Sequence, residues 1–249
     1  MRNRREPWRF VLLSAGIMWR GDIMHIPDGF LNTGVSVATG VIAAGAVGYG
    51  LYKAREELDE KSVPLLALCA AFVFAAQMLN FPVAGGTSGH FLGGILVAVL
   101  LGPWLGDLVI ALVLLIQCLG FADGGLTALG ANVFNMAVIG TILSYYIFYG
   151  IKTLLPKNRT YFLASIAAAS WVSVMLASGA CAVELAISGT SPLSVALPAM
   201  LGVHAVIGVG EATITVLVVG VVLAVRPDLV RTYDHQTLIP KLEEAKVGQ

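Results

Sequence analysis

AGGTSGHFLGGILVAVLLGPW (84–104) decides how this chain folds. Its second half is an unbroken apolar run, whereas its first half carries glycines that make poor helix. Inside a bilayer, irregular backbone survives only where protein or a cavity satisfies its N–H and C=O groups. The stretch therefore reads as an irregular entry followed by helix, and the irregular part points to a site. Gly102-Pro103 then joins this helix to the next in a tight hairpin.

The remainder of the chain places this stretch in a membrane. Of 249 residues, 57% are hydrophobic and 12% charged, and mean hydropathy is +0.85. A soluble domain carries about 25% charged residues. The expected fold class is an all-α polytopic membrane bundle of about seven spans, each needing roughly 20 apolar residues. The candidates are Leu31–Tyr52, Pro64–Phe81, Ala84–Leu101, Trp104–Gly120, Gly130–Gly150, Tyr161–Ile187 and Val195–Val225, giving a membrane domain over 24–225. Formal net charge is zero and gives no hint of nucleic acid. Cys69, Cys118 and Cys181 lie singly in apolar runs, a pattern for packing rather than for zinc or disulfides.

Basic residues set the orientation. Lys53, Arg55 and Lys61, then Lys152, Lys157 and Arg159, then Arg226, Arg231 and Lys241 fall in alternate connections, while 82–90, 121–129 and 188–194 contain no Lys or Arg. Positive loops stay cytoplasmic. Seven spans then put Met24 outside and the tail 226–249 in the cytoplasm. Gly40, Ala44 and Gly48 recur at helical spacing, a surface for close approach of either a neighbouring span or a partner subunit. The segment 163–182 has a similar Ala/Ser/Gly surface.

Ionisable side chains at membrane depth are costly and usually functional. His25 and His90 both fall at outer span ends and can meet, whereas His235 lies in the tail and is read as solvated. If Met24 is the first residue of the working chain, its α-amine, the backbone nitrogen of His25 and Nδ1 of His25 close a five- and a six-membered chelate ring on one metal. His90 supplies a fourth nitrogen. Such a square-planar set suits Ni(II) or Cu(II), and imidazole also takes other late divalent ions. The competing reading is an ordinary interfacial dipeptide. Ile26 precedes Pro27 and is biased to extended geometry. Pro-Asp-Gly (27–29) then suits a tight turn, with Pro27 at its second position.

MHIPDGFL (24–31), GTSGHFLGG (86–94) and GVHAVIGVGEA (202–212) together resemble the CbiM/NikM family, the substrate-binding S components of energy-coupling factor (ECF) transporters for cobalt and nickel. The likeness runs from Met24 to about Val225. It implies an S-component-like fold, a chain that works from Met24, and metal held by Met24, His25 and His90. It also implies a multi-pass plasma-membrane (cell inner membrane) protein that imports Co(II) or Ni(II) with a transmembrane coupling subunit, two cytoplasmic ATPases and a small accessory membrane subunit. Residues 1–23 depart from the family. Arg2, Arg4 and Arg5 before FVLLSAGIM resemble a signal peptide, but Gly21-Asp22-Ile23 is a poor cleavage site. The leader is read as a start assigned too early, with cleavage as the alternative.

Metal-bound imidazoles pass their other N–H to an acceptor. The candidate supporting residues are Gln77, Asn80, Thr87, Ser88, Asn132, Asn135, His204 and Glu211. Asn132 and Asn135 share one helix face, as do His204 and Glu211. Asp28 is assigned to the turn rather than to the metal, and Asp107 and Asp123 to span ends within reach of water. With no GxxxxGK[ST] loop, ATP hydrolysis falls to partners. The chain is expected to be a transporter subunit with no prosthetic group. A membrane metalloenzyme is the rival reading, but no HExxH is present. A channel or a small-molecule-binding S component of similar fold is the other.

Overall fold

The computed structural model describes residues 25–60 and 62–234. The expectations for Met24, the leader 1–23, Lys61, His235 and Lys241 fall outside the described residues. The chain is an all-α membrane bundle. Its helices are α1 (Thr33–Glu57), α2 (Ser62–Gln77), α3 (Gly94–Leu101), α4 (Pro103–Phe121), α5 (Leu129–Leu154), α6 (Arg159–Ile187) and α7 (Leu193–Val225). A two-stranded antiparallel hairpin, β1 (Asn80–Pro82) and β2 (Ser88–His90), separates α2 from α3.

Seven helices match the seven expected spans in order, but not in length. Five of them, α1 and α4–α7, are long and apolar enough to cross a membrane. At about 1.5 Å per residue, α3 rises only about 12 Å of the roughly 30 Å hydrocarbon core. The expected span Ala84–Leu101 is thus corrected to a hairpin followed by a half-helix. All eight α3 residues are buried, so protein surrounds a segment that lipid would not tolerate.

Both ends of α3 are satisfied by distant parts of the chain. At its start, the Glu211 carboxylate of α7 accepts the Leu92 N–H at 2.8 Å and the Gly93 N–H at 2.9 Å. These donors belong to the two residues that lead into α3, its N-cap Gly93 and the residue before it, and a carboxylate there also complements the helix dipole. At its finish, the strap after α7 turns under the bundle. Arg231 N–H donates to Leu100 O, Thr232 N–H to Val99 O, and the Arg231 guanidinium to Leu101 O at 3.0 Å. Gly102 adopts φ +90°, which turns the chain into Pro103 at the start of α4.

The middle of α5 (Phe134–Leu143) is a π-helix. Thr141 Oγ1 donates to Met136 O and Ser173 Oγ to Gly140 O, so hydroxyl donors reinforce carbonyls of this turn. The Gly94 backbone crosses there so closely that a Cβ would collide with Gly140 O.

The buried face of α1 is Thr39, Ala43, Gly50 and Ala54, while Ala44 and Gly48 are exposed. The small-residue stripe of α1 therefore faces outward, except where Gly130 of α5 crosses Gly40. The small residues of 163–182 instead form the buried side of α6. Asp107 does not reach water as expected: it is fully buried beside Gly50, with no hydrogen bond to either carboxylate oxygen among the described residues.

The bundle has two unlike ends. Arg231 pairs with Glu57, Lys152 donates to Thr232 O and Arg159 to Gly220 O, which gathers the charged residues at one end. At the other, Asn32 caps α1 and donates to Ile187 O, and Thr190 Oγ1 donates to Phe30 O.

Candidate metal centre

Residues 25–28 lie along the loop between α4 and α5 at the less charged end. Ile26 is held from three sides: its N–H donates to Asn132 Oδ1 at 3.0 Å, and its carbonyl accepts Asn132 Nδ2 at 3.2 Å and Gly125 N–H at 2.9 Å. The approach is close, since a Cβ on Gly125 would strike the Asp28 backbone and one on Gly124 would come within 2.9 Å of His25 Cβ. Asp28 Oδ1 accepts both the N–H and the hydroxyl of Thr127. These bonds, the hydroxyl's first, hold the Asp28 carboxyl below its usual range. Asp28 thus ties the turn to the loop and is not among the residues that line the cavity. The turn itself closes from Phe30 N–H to Pro27 O, with Gly29 at φ +83°. Pro27 is consequently its first residue, not its second, because Asp28 and Gly29 occupy the central positions.

His25 and His90 meet. Their rings stand edge to face at 89° with centroids 4.8 Å apart, and both side chains are buried. His25 Nε2 lies 2.9 Å from Gln117 Oε1 and 3.9 Å from an Asp123 carboxylate oxygen. An amide oxygen only accepts, so Nε2 carries the hydrogen and Nδ1 keeps its lone pair. His90 makes the opposite choice: its Nδ1–H donates to Phe91 O at 2.9 Å, leaving Nε2 open. Burial pushes the His25 imidazole down to about 4, only partly offset by the Gln117 bond. The ring is therefore neutral at physiological pH, the form that binds metal.

His204 stands close by. Its Nδ1–H donates to Met200 O at 2.7 Å, and a Cβ on Gly89 would lie 3.3 Å from its Nε2. His25, His90 and His204 border a cavity of ≈ 50 Å³, whose lining also includes Thr87, Ser88, Asn132, Asn135 and the sulfur side chains of Met136, Cys181 and Met200. Organic ligands occupy pockets of about 300–1,000 Å³, so this cavity is of a size for an ion. Among the described residues, no three His, Cys, Asp or Glu side chains converge closely enough to hold a metal. Any ion bound between His25 and His90 must take its other ligands from elsewhere.

Gln77 and Glu211 act at one remove. Gln77 Nε2 donates to Leu92 O at 3.0 Å while Glu211 holds the N–H groups of Leu92 and Gly93. Together they fix the backbone two residues beyond His90, although neither side chain lines the cavity. Sequence reasoning missed Gln117, a polar side chain inside LLIQCLG, although a buried amide in an apolar run is itself a signal. It also passed over Glu184, which accepts Asn135 Nδ2 at 2.7 Å. Asp123, expected within reach of water, is instead buried beside His25.

Asn132 offers a direct test of this scaffold. Replacing it with alanine removes both side-chain bonds to Ile26. Because Asn132 holds the segment that carries His25, any metal affinity of this cavity, read with Ni(II) by equilibrium dialysis, should fall about 10–100-fold in a bundle that remains folded.

A family model described as the cobalt uptake substrate-specific transmembrane region, CbiM, matches residues 25–229. The chain is 44% identical over 209 residues to a putative fused nickel transport protein, NikMN, of Archaeoglobus fulgidus, covering 83% of this chain and 68% of that one. It is 39% identical over 221 residues to a putative metal transport protein of Haloquadratum walsbyi, covering 88% of this chain and all of that one. A crystal structure of a transition metal transporter superposes with a TM-score of 0.74 at 36% identity, covering 81% of this chain and 93% of the other. A truncated transition metal transporter gives a TM-score of 0.72 at 36% identity, covering 80% and 98%.

Proposed function

The chain belongs to the CbiM family of substrate-specific transmembrane regions for cobalt uptake, and on that premise we propose that it captures Ni(II) or Co(II) with four nitrogens. These are the α-amine of Met24, the backbone nitrogen and Nδ1 of His25, and Nε2 of His90. The observation that carries the reading is the His25–His90 contact, 4.8 Å between ring centroids, in which the hydrogen bonds leave open Nδ1 of one ring and Nε2 of the other. Nδ1 is the nitrogen that a six-membered ring with the His25 backbone nitrogen requires. With two imidazoles from side chains and two nitrogens from the chain start, the ion has a full plane of ligands. Loss of the amide proton gives the site one negative charge and lowers the cost of holding a divalent ion away from water. A square plane suits Ni(II) better than Co(II).

The gathering of basic residues at the far end supports placing the metal end outside and the charged end in the cytoplasm. The ion would be received from outside and released inward, driven by two ATPases through a transmembrane coupling subunit, with a small accessory membrane subunit completing the ECF importer. Exposed Ala44 and Gly48 on α1 offer the coupling subunit a surface for close helix approach, while Gly40 is taken up by its crossing with Gly130 of α5. The ion-sized cavity argues against the small-molecule-binding alternative.

The test is the chain start. A protein whose first residue is Met24 should bind one Ni(II), whereas one that retains residues before Met24 has an amide in place of the amine and should bind far more weakly. Intact mass and N-terminal sequencing identify the native form, and equal affinity of the two forms would overturn the reading. The pH dependence follows from the same chemistry. The α-amine has a reference pKa of about 7.7–8.0, and binding must displace its proton and the amide proton. Affinity should fall as pH drops from 8 to 6. A site of two neutral imidazoles alone would show no loss across that window, because His25 takes up a proton only near 4.

A further inference from the structure

The bundle carries a larger cavity, ≈ 200 Å³, at its charged end, between the α5–α6 connection and the strap after α7. Its lining includes Tyr149, Lys152, Lys157, Asn158, Tyr233 and Asp234. We propose that this cavity holds the phosphate headgroup of an anionic phospholipid, with Lys152 and Lys157 as its cationic contacts.

Depth, charge and wall chemistry each support this assignment. Tyr149, part of the cavity lining, is 52% exposed, and Tyr146 and Tyr161, on the adjoining turn of α5 and the first turn of α6, are 52% and 42% exposed. Tyrosines gather at the headgroup level of a bilayer, so the mouth opens where lipid phosphates lie. Lys152 Nζ donates to Thr232 O and stands 5.7 Å from the Phe162 ring centre. A lysine ammonium has three donors, and that bond uses one. Lys157 Nζ approaches Asp234 only at 4.0 Å, with the lysine side chain largely exposed and that of Asp234 half-buried. Among the described residues, two ammonium groups thus face one carboxylate, and their surplus is positive. Asn158 caps α6 there, whose N-terminus adds partial positive charge. Pro156, Phe162 and the tyrosine rings supply apolar wall. A glycerophospholipid matches both halves of that lining, whereas free phosphate matches only the charged half. The metal site lies at the other end of the bundle, so this inference does not depend on it.

Native mass spectrometry of the full-length protein, reconstituted with phosphatidylglycerol or phosphatidylcholine of identical acyl chains, tests it. Retention should favour phosphatidylglycerol, with each lysine contributing about fivefold. Lys157→Gln should lose about that factor, and Asp234→Asn, which removes the competing carboxylate, should gain retention. Lys152→Gln also releases Thr232, so the other two variants are the decisive ones. Equal retention of the two lipids by the native protein would overturn the proposal, as would indifference of both variants. Thermal protection by inorganic phosphate alone, with the same lysine dependence, would overturn the lipid assignment in favour of a free anion.

Discussion

His90→Ala should lower affinity for Ni(II) by about 100-fold or more, since loss of a supporting residue alone costs about 10–100-fold and His90 is proposed as a direct ligand. The substitution leaves the three nitrogens of Met24 and His25 with one corner of the plane open to water. His25→Ala should cost more, because it removes the imidazole and with it the six-membered ring that positions the backbone nitrogen. His204→Ala serves as the control. Its Nδ1 is spent on Met200 O and its Nε2 faces the Gly89 backbone, but it has no place in the four-nitrogen plane. Its loss should therefore cost less than loss of His90. Equilibrium dialysis reads affinity directly, and thermal unfolding reads it independently. Metal at 100 times Kd stabilises by about 2.7 kcal/mol, and after a 100-fold loss of affinity the same concentration stabilises by about 0.4 kcal/mol, so the melting shift seen with the native protein should nearly disappear in His25→Ala and His90→Ala. Equal metal uptake by the native protein and all three variants would remove the site.

How much of this is readable from sequence depends on whether a feature is local. Apolar runs mark helices because each residue reports its own environment, and the ends of α1, α4, α6 and α7 fall near their expected positions. The glycines at 85, 86 and 89 announce irregular backbone before α3, but not its form. The β1–β2 pairing depends on His90 meeting Asn80 across the hairpin. The meeting of His25 with His90 can be expected from topology, since both fall at the same end. Their tautomers cannot, because these are set by Gln117, 92 residues away, and by the Phe91 carbonyl. Asp107 and Asp123 depart from expectation for a related reason. Nearness to a span end suggests water, but burial is decided by what packs there: Gly50 with Leu108 in one case and the His25 segment in the other. Glu184 and Glu211 likewise gain their roles from partners on other helices.

Glu211→Ala should be the most damaging substitution to the fold itself. The two carboxylate oxygens accept the N–H groups of Leu92 and Gly93 inside the bundle, where Glu211 is 2% exposed. Alanine leaves both donors unpaired, at about 1–3 kcal/mol for each buried group. The sum, about 2–6 kcal/mol, rivals a typical net stability of about 5–15 kcal/mol. Thermal unfolding in detergent should show a large fall in melting temperature and reduced yield of folded protein. Glu211→Gln separates the contribution of the carboxylate from that of side-chain volume. Its single carbonyl oxygen can accept from one of the two N–H groups, while its NH2 must face the other. The glutamine variant should fall between alanine and native in stability. Metal affinity should follow the same order, because His90 lies two residues before Leu92 and its ring is anchored to the intervening Phe91 carbonyl. A glutamine variant indistinguishable from native in both measurements would show that one acceptor suffices. α3 would then be held mainly by packing and by the Arg231 strap at its other end.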